Sequence, residues 1–261
     1  HQYLGDSLAG IAAEKAGILK PGVPSIIGPQ SDMVLEVIEA RADAIGAPLK
    51  VHGRDWDVRT EHGRLVYQDE NGLIDLDLPH LAGAHQVMNA GIAIAALREL
   101  GLGSEAAEAA LRDVVWPARM QRLTHGPLKD ALPEGVELWL DGGHNAAAGE
   151  AIAAMLDEWK ARAALPVHLV VGMLETKSAV DFLRPLAAGV ASITTVAIPD
   201  AEASFTAERL AEMATEVGSK AQPASSVADA VGKIAAEAEM PARVLICGSL
   251  YLAGHVLAEN G

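Results

Sequence analysis

A single cysteine, Cys247, stands among 261 residues. One thiol excludes an internal disulfide framework and any multi-cysteine zinc or iron–sulfur site. Aromatic residues are scarce at 3%. Cations are scarce too: 20 Lys and Arg stand against 35 Asp and Glu, a formal charge of −15. Such a surface repels phosphate backbones at long range, so no nucleic-acid partner is expected. No apolar run approaches the roughly 20 residues of a membrane helix, so no membrane partner is expected either. No basic-then-apolar leader is visible, and the expected compartment is the cytoplasm. The chain opens His1-Gln2-Tyr3 with its first methionine at Met33, which has the look of a processed or trimmed product.

Several catalytic signatures are also missing. Gly172-Met-Leu-Glu-Thr-Lys177-Ser178 comes near a phosphate loop but lacks the glycine that must precede the lysine. No complete G-x-x-x-x-G-K-[ST] occurs, no G-x-G-x-x-G follows a strand, and H-E-x-x-H and G-x-S-x-G are absent.

Half of the residues are apolar, enough for a sizeable core. Leu4, Leu8, Ile11, Ala12, Ala16 and Leu19 recur at helical spacing, and Met33 to Ile45 does the same. Gly22 and Pro24 break the helical pattern, and Pro24-Ser25-Ile26-Ile27 reads as a short strand. Trp56–Arg59 and Arg64–Tyr67 alternate about Gly63, which predicts hairpins. Residues 85–100 and 104–114 read as helices, punctuated by Gly101 and Gly103. Beyond Trp116-Pro117 strands and helices alternate. Strands are expected at Val136–Leu140, Val167–Val171, Ser192–Ile198 and Val244–Cys247, with helices starting near Ala147, Ala179, Thr206 and Ala228 and a last one after Cys247. That alternation predicts an α/β fold with a mostly parallel sheet, with a domain boundary near residue 117.

Ligands of open parallel sheets collect at the carboxyl ends of strands. Three expected strands end in glycine-bearing text: Asp141-Gly142-Gly143-His144-Asn145, Gly172-Met173-Leu174 and Gly248-Ser249-Leu250-Tyr251. Glycine lets backbone amides approach a ligand, and a following helix N-terminus favours an anion. Asp141, His144 and Ser249 are therefore expected to converge on one crevice, although turn geometry alone also asks for Gly and Asp at such places. On the N-terminal side, Glu14-Lys15 reads as a solvated pair at a helix end. His85 and Asn89 share one face at the start of a helix, as caps or as ligand readers.

Taken in order, these segments resemble the folylpolyglutamate synthase/dihydrofolate synthase family of the Mur ligase superfamily. The matching text is Leu4-Gly5 with Ile11-Ala-Ala-Glu-Lys15-Ala-Gly-Ile-Leu-Lys20, His85-Gln86-x-x-Asn89-Ala90 and Pro117-Ala118-Arg119-Met120-Gln121. Asp141-Gly-Gly-His144-Asn145, Gly172-Met-Leu174 and Gly248-Ser-Leu-Tyr251 continue it. The resemblance implies a remnant of the central Mur-ligase ATPase domain over residues 1–117. A Rossmann-like ligase domain would follow over 118–261.

It also implies an ATP-dependent ligase that adds L-glutamate to folate or dihydropteroate through an acyl phosphate, at a cleft between the two domains. Lys15 would be carbamylated and help hold Mg²⁺, which requires a lysine whose charge burial disfavours; K⁺ is a further implied cation. Asn89, with Gln86 and His85, would read adenine. Arg119 would reach the ATP phosphates, and Lys15, Arg119 and His144 would form the catalytic set. Asp141 would contact the nucleotide. Ser249, His144 and Asn145 would serve the substrate, with Tyr251 left to packing.

The family's N-terminal phosphate loop is absent, so this chain is expected to be inactive alone, and His1 stands one position off the family's metal-binding histidine. Ala118 replaces a glycine and should stiffen a hinge. Thr176 and Ser178 replace aspartates beside Lys177. A monomer is implied. Another Mur-type amino-acid ligase and a non-catalytic binding module on the same fold are the alternatives.

Overall fold

The computed structural model describes residues 7–237 and 241–260. His1, Leu4 and Gly5, which enter the resemblance, lie outside the described residues. The chain divides between Val114 and Val115 into two compact units.

In the first unit, α1 (Leu8–Lys15) is capped by Ser7, whose Oγ accepts from the Gly10 N–H at 3.1 Å. A 3₁₀ turn over Ala16–Ile18 follows. The expected apolar face is realised only in part. Ala12, Ala16 and Leu19 are buried, Ala16 and Leu19 clustering with Ile38 and Ala42 of α2 (Asp32–Ile45), while Leu8 faces solvent. β1 (Ser25–Ile27) and β2 (Leu49–Val51) form a parallel pair. β3 (Trp56–Glu61), β4 (Arg64–Asp69) and β5 (Gly72–Leu76) form an antiparallel meander. His62 and Gly63 both take positive φ at its first turn, as a tight hairpin requires. One face of the meander, carrying Trp56, Val58, Leu65 and Tyr67, packs on Ala90, Ile94 and Ala95 of α3 (His85–Glu99). The short helix α4 (Ser104–Asp113) completes the unit, and Ala107 and Leu111 join the same cluster.

The second unit is built on a six-stranded sheet. Its elements are β6 (Gln121–Leu123), α5 (Pro127–Asp130), β7 (Glu137–Leu140), α6 (Ala146–Arg162), β8 (Val167–Val171) and α7 (Ala179–Leu183). They continue with β9 (Ser192–Thr195), α8 (Ala207–Glu216), β10 (Ala221–Pro223), α9 (Val227–Glu237), β11 (Arg243–Cys247) and α10 (Leu250–Asn260). The spatial order is β10-β9-β8-β11-β7-β6, parallel throughout except that β6 runs antiparallel to β7.

Alternation along the strands sorts the core into two layers. Leu138, Leu140, Val170, Val244 and Ile246 pack with α5, α9 and α10. Leu169, Val171, Leu245 and Cys247 pack with α6, α7 and α8. This is the α/β fold with a mostly parallel sheet that strand–helix alternation predicts. β11 sits between β7 and β8, so the last strand of the chain enters the middle of the sheet and brings its carboxyl end beside theirs.

Burial within this sheet gives one pH prediction. His168 on β8 shares a hydrogen bond between Nδ1 and the Ser192 Oγ at 2.8 Å, while its buried Nε2 has no partner. Burial, helped by the charge of Lys220 and opposed by Glu237, pushes its pKa below the ordinary 6.5. The unfolded chain therefore binds a proton near pH 6 that the folded chain refuses, and stability falls as pH drops through that window. His168→Gln is expected to flatten the change in urea midpoint between roughly pH 7 and pH 5.5. An unchanged pH slope in the variant refutes the assignment.

Candidate active site

The carboxyl ends of β7, β8 and β11 are tied together by their own backbones. The Gly248 N–H donates to the Gly143 carbonyl at 3.0 Å, and the Gly172 N–H to the Cys247 carbonyl at 3.2 Å. These bonds bring the loops that carry Asp141, His144 and Ser249 next to one another. After β8, α7 begins at Ala179 as expected, and before it Leu174 bridges to Ser204.

Asp141, the first residue past β7, is 8% exposed. Its Oδ2 accepts from the Met120 N–H at 2.9 Å and its Oδ1 from the Gly143 N–H at 2.7 Å. The carboxylate thereby joins the segment that enters the unit to the strand-end loop. The Gly142 N–H adds a bond to the Ala118 carbonyl at 2.9 Å, and the Gln121 side chain accepts from the Ala118 N–H at 3.0 Å. Between these anchors Ala118 has φ +55° and Met120 φ +41°. Left-handed backbone costs a residue with a Cβ about 1–2 kcal/mol, and only firm neighbours sustain it. Ala118→Gly is accordingly expected to stabilise the unit by about 1 kcal/mol, read as a raised thermal midpoint. A lowered midpoint sinks the strain argument.

Arg119 projects from the middle of this turn, half-buried, with Nη1 donating to the Ala118 carbonyl at 3.0 Å. Its guanidinium lies over Gly142, where an added Cβ would stand 3.2 Å from Nη1. His144 is half-buried as well. A carbonyl can only accept, so the 2.9 Å contact from its Nδ1 to the Gly142 oxygen makes Nδ1 the protonated nitrogen and leaves Nε2 free.

Two expected substrate residues also have structural tasks. The Asn145 side chain caps α6, accepting from the Ala148 N–H at 2.9 Å. The buried Ser249 does the same at α10, its Oγ accepting from the Tyr251 N–H at 3.1 Å. Tyr251, expected to pack, is instead 66% exposed in the first turn of α10. Burial, and then the charge of Asp141, push the Cys247 thiol up, so it is no thiolate nucleophile.

In the first unit, His85, Gln86 and Asn89 do share the start of α3. The Asn89 amide donates to the Gln86 Oε1 at 3.0 Å, and the buried Gln86 amide pairs with the His85 Nε2 at 3.0 Å. That chain satisfies Gln86 and leaves His85 and Asn89 exposed. Lys15 is exposed at the last turn of α1, beside exposed Glu14. The resemblance implies a carbamate there, which asks for burial, and within this chain the side chain is exposed.

Among the described residues, no group of three or more His, Cys, Asp or Glu side chains is placed to hold a metal ion. Nor is any described helix long and apolar enough to cross a membrane. Sequence reasoning passed over Gln121 and the amides of Met120 and Gly143. Only the run Pro117–Gln121 signalled them, because which amide meets which carboxylate is set across 21 residues of chain.

Residues 124–259 match the family model described as "Dihydrofolate synthetase, C-terminal domain". The chain belongs to the folylpolyglutamate synthase family. The folylpolyglutamate synthase of Lacticaseibacillus casei is 28% identical over 98% of this chain, which spans 58% of that enzyme's length. The Escherichia coli FolC structure in complex with DHPP and ADP aligns with a TM-score of 0.81 at 27% identity, covering 98% of this chain and 57% of that one. A bifunctional family enzyme of Yersinia pestis, complexed with AMPPNP and a Mn ion, aligns at 0.79 and 26%, covering 98% and 57%. The chain therefore corresponds to somewhat under three-fifths of each of these folylpolyglutamate synthase relatives.

Proposed function

We propose that this chain forms part of an ATP-dependent ligase that joins L-glutamate to the carboxylate of a folate or dihydropteroate. Residues 1–117 belong to the ATPase portion in this reading and residues 118–261 to the glutamate-ligase portion. The observation that carries it is the clamped turn that presents Arg119 beside Gly142 and His144 at the carboxyl ends of β7 and β11. Relatives that hold ADP and AMPPNP over nearly the whole of this chain's fold support it.

The chemistry has two displacements. A substrate carboxylate oxygen bonds to the γ-phosphorus of ATP as the bond to ADP breaks, and the glutamate nitrogen then bonds to the acyl carbon as phosphate leaves. Arg119 supplies a planar, permanently charged fork for phosphate oxygens. His144, oriented through its Nδ1 bond to the Gly142 carbonyl, keeps Nε2 available to a phosphate or substrate group. The first turn of α6 presents unpaired N–H groups in the same loop, which favours an anion. Ser249 and Asn145 stand beside the incoming substrate with their hydroxyl hydrogen and amide NH₂ available to donate. Asn89, steadied by Gln86 and His85, offers its carbonyl to the adenine amino group. A divalent ion, when it arrives with the nucleotide, neutralises phosphate charge, and no step is assigned to a protein-held ion. The carbamate at Lys15 is left out of this reading because that side chain is exposed.

Titration of the chain with ADP and Mg²⁺ tests the proposal. Arg119→Ala is expected to weaken binding about 10- to 100-fold, the worth of one or two charge-assisted hydrogen bonds. Equal affinity for ADP in the two proteins overturns it.

A further inference from the structure

Asp141 is the group whose geometry asks for a different role from the nucleotide contact that the resemblance implies. It is a nearly buried carboxylate whose partners are backbone N–H groups, one on each side of a junction. One of those partners, Met120, and the nearby Ala118 both hold left-handed backbone with a Cβ in place. Their side chains go to opposite layers: Ala118 is buried in the core under α5, α9 and α10, and Met120 in the core under α6, α7 and α8. Arg119 alone, between them, is left to point away from both.

Such a turn cannot persist on local preference, since each flanking residue disfavours it. What holds it is the Oδ2 bond to Met120, backed by the Gly142 and Gln121 bonds to Ala118. We propose that Asp141 is a positioning residue that fixes the 118–120 turn and so sets the direction of the Arg119 guanidinium. This rests on the ligase reading only where it concerns what Arg119 binds; the strap itself is a property of the fold.

The test uses Asp141→Asn and Asp141→Ala in the 261-residue chain, each checked for unchanged circular dichroism. The first readout is amide hydrogen exchange and needs no ligand. Exchange at Met120 and Gly143 is expected to rise about 10-fold or more, the loss of one buried hydrogen bond, while Leu245 in the middle of the sheet keeps its protection. Should Asp141→Ala fail to fold, Asp141→Asn carries the comparison. An asparagine flipped to satisfy Gly143 leaves Met120 facing an NH₂ group, so Met120 alone is then expected to lose protection. Unchanged exchange at Met120 in both variants overturns the strap.

The second readout is a double-mutant cycle on ADP affinity. If Asp141 acts through Arg119, Asp141→Ala costs affinity in the parent chain and nothing further in Arg119→Ala. Losses that multiply mean that Asp141 touches the nucleotide itself, and they overturn the positioning role. A merely structural residue would lower the thermal midpoint without this coupling. If neither parent nor variants bind ADP, the ligase reading fails, and the exchange experiment still decides whether Asp141 holds the turn.

Discussion

Gly248→Ala is expected to lower the thermal midpoint of the second unit by about 10 °C. Gly248 has φ +105°, a region closed to a residue with a Cβ. An added Cβ would stand 2.7 Å from the Gly172 carbonyl oxygen, 2.9 Å from the Met173 Cγ and 3.0 Å from the Val171 Cγ1. The first of these is backbone just past β8, tied to the Cys247 carbonyl through the Gly172 N–H, and cannot swing aside. Conformational strain of about 1–2 kcal/mol and overpacking of about 1–3 kcal/mol together make roughly 3 kcal/mol, and each kcal/mol moves a unit of this size by about 2–4 °C. Nucleotide affinity should fall as well, because the Gly248 N–H holds the Gly143 carbonyl in place.

Gly232→Ala is the matching control. That residue lies on exposed helical backbone of α9 with nothing within 4 Å of an added Cβ, so stability should rise by about 0.5–1 kcal/mol. A Gly248 variant as stable as the parent in scanning calorimetry would mean that the three loops are not held as described.

At the amino end of the same strands, Arg243→Ala is expected to cost about 3 kcal/mol and to leave ADP binding untouched. Arg243 begins β11. Its Nε lies 2.9 Å from the Glu137 Oε2, its Nη1 donates to the Ala163 carbonyl at 3.1 Å, and the guanidinium sits 5.1 Å from the Trp159 ring centre. The Trp139 indole N–H gives Glu137 a further bond at 3.2 Å. Removing Arg243 therefore orphans a half-buried carboxylate and a carbonyl at once, and takes packing from Trp159.

The pH dependence follows from the same group. Burial pushes the Glu137 carboxyl up, and the hydrogen bonds from Arg243 and Trp139 more than offset that, holding it below the usual carboxylate range. A depressed folded pKa contributes stability above the ordinary value of 4.5 and loses it as pH falls through the folded value. The gap between parent and Arg243→Ala in chemical denaturation should consequently narrow on acidification below about pH 4.5. A gap that stays constant there would show that the ion pair contributes nothing.

The two variants divide the sheet by function. Under the proposed function, substitution at the amino ends of β7 and β11 is expected to touch stability alone, and substitution at their carboxyl ends stability and ligand together. That division follows from parallel pairing, which sends every strand-to-helix loop to one side.

Some elements were plain in the sequence and others were not, for identifiable reasons. Val167–Val171 is read correctly because each of its residues is at least half-buried, and a run in which only His168 is not aliphatic records this. β6 and β10 escape notice. Each is a three-residue edge strand, and Gln121-Arg122-Leu123 and Ala221-Gln222-Pro223 have too few buried side chains to leave a pattern. β9 is expected to reach Ile198 but stops pairing at Thr195. Val196 and Ile198 are buried after leaving the ladder, and hydrophobicity records burial rather than strand pairing. At the candidate site, His144 is singled out by its place after an expected strand, and Arg119 only by the resemblance. The capping tasks of Asn145 and Ser249 follow from the helices that begin beside them.

Apolar spacing and glycine placement alone settled the types of the longer elements, the alternation that makes the sheet mostly parallel, and the strand ends that carry polar text. Those properties depend on neighbours a few residues away. Tertiary structure alone decided that Asp141 reaches back to Met120, that Ala118 takes left-handed backbone despite its Cβ, that Tyr251 is exposed and that Lys15 lies unburied. Each of these depends on which groups meet after distant segments pack, and the free energy of such a meeting is written in no local stretch of the chain.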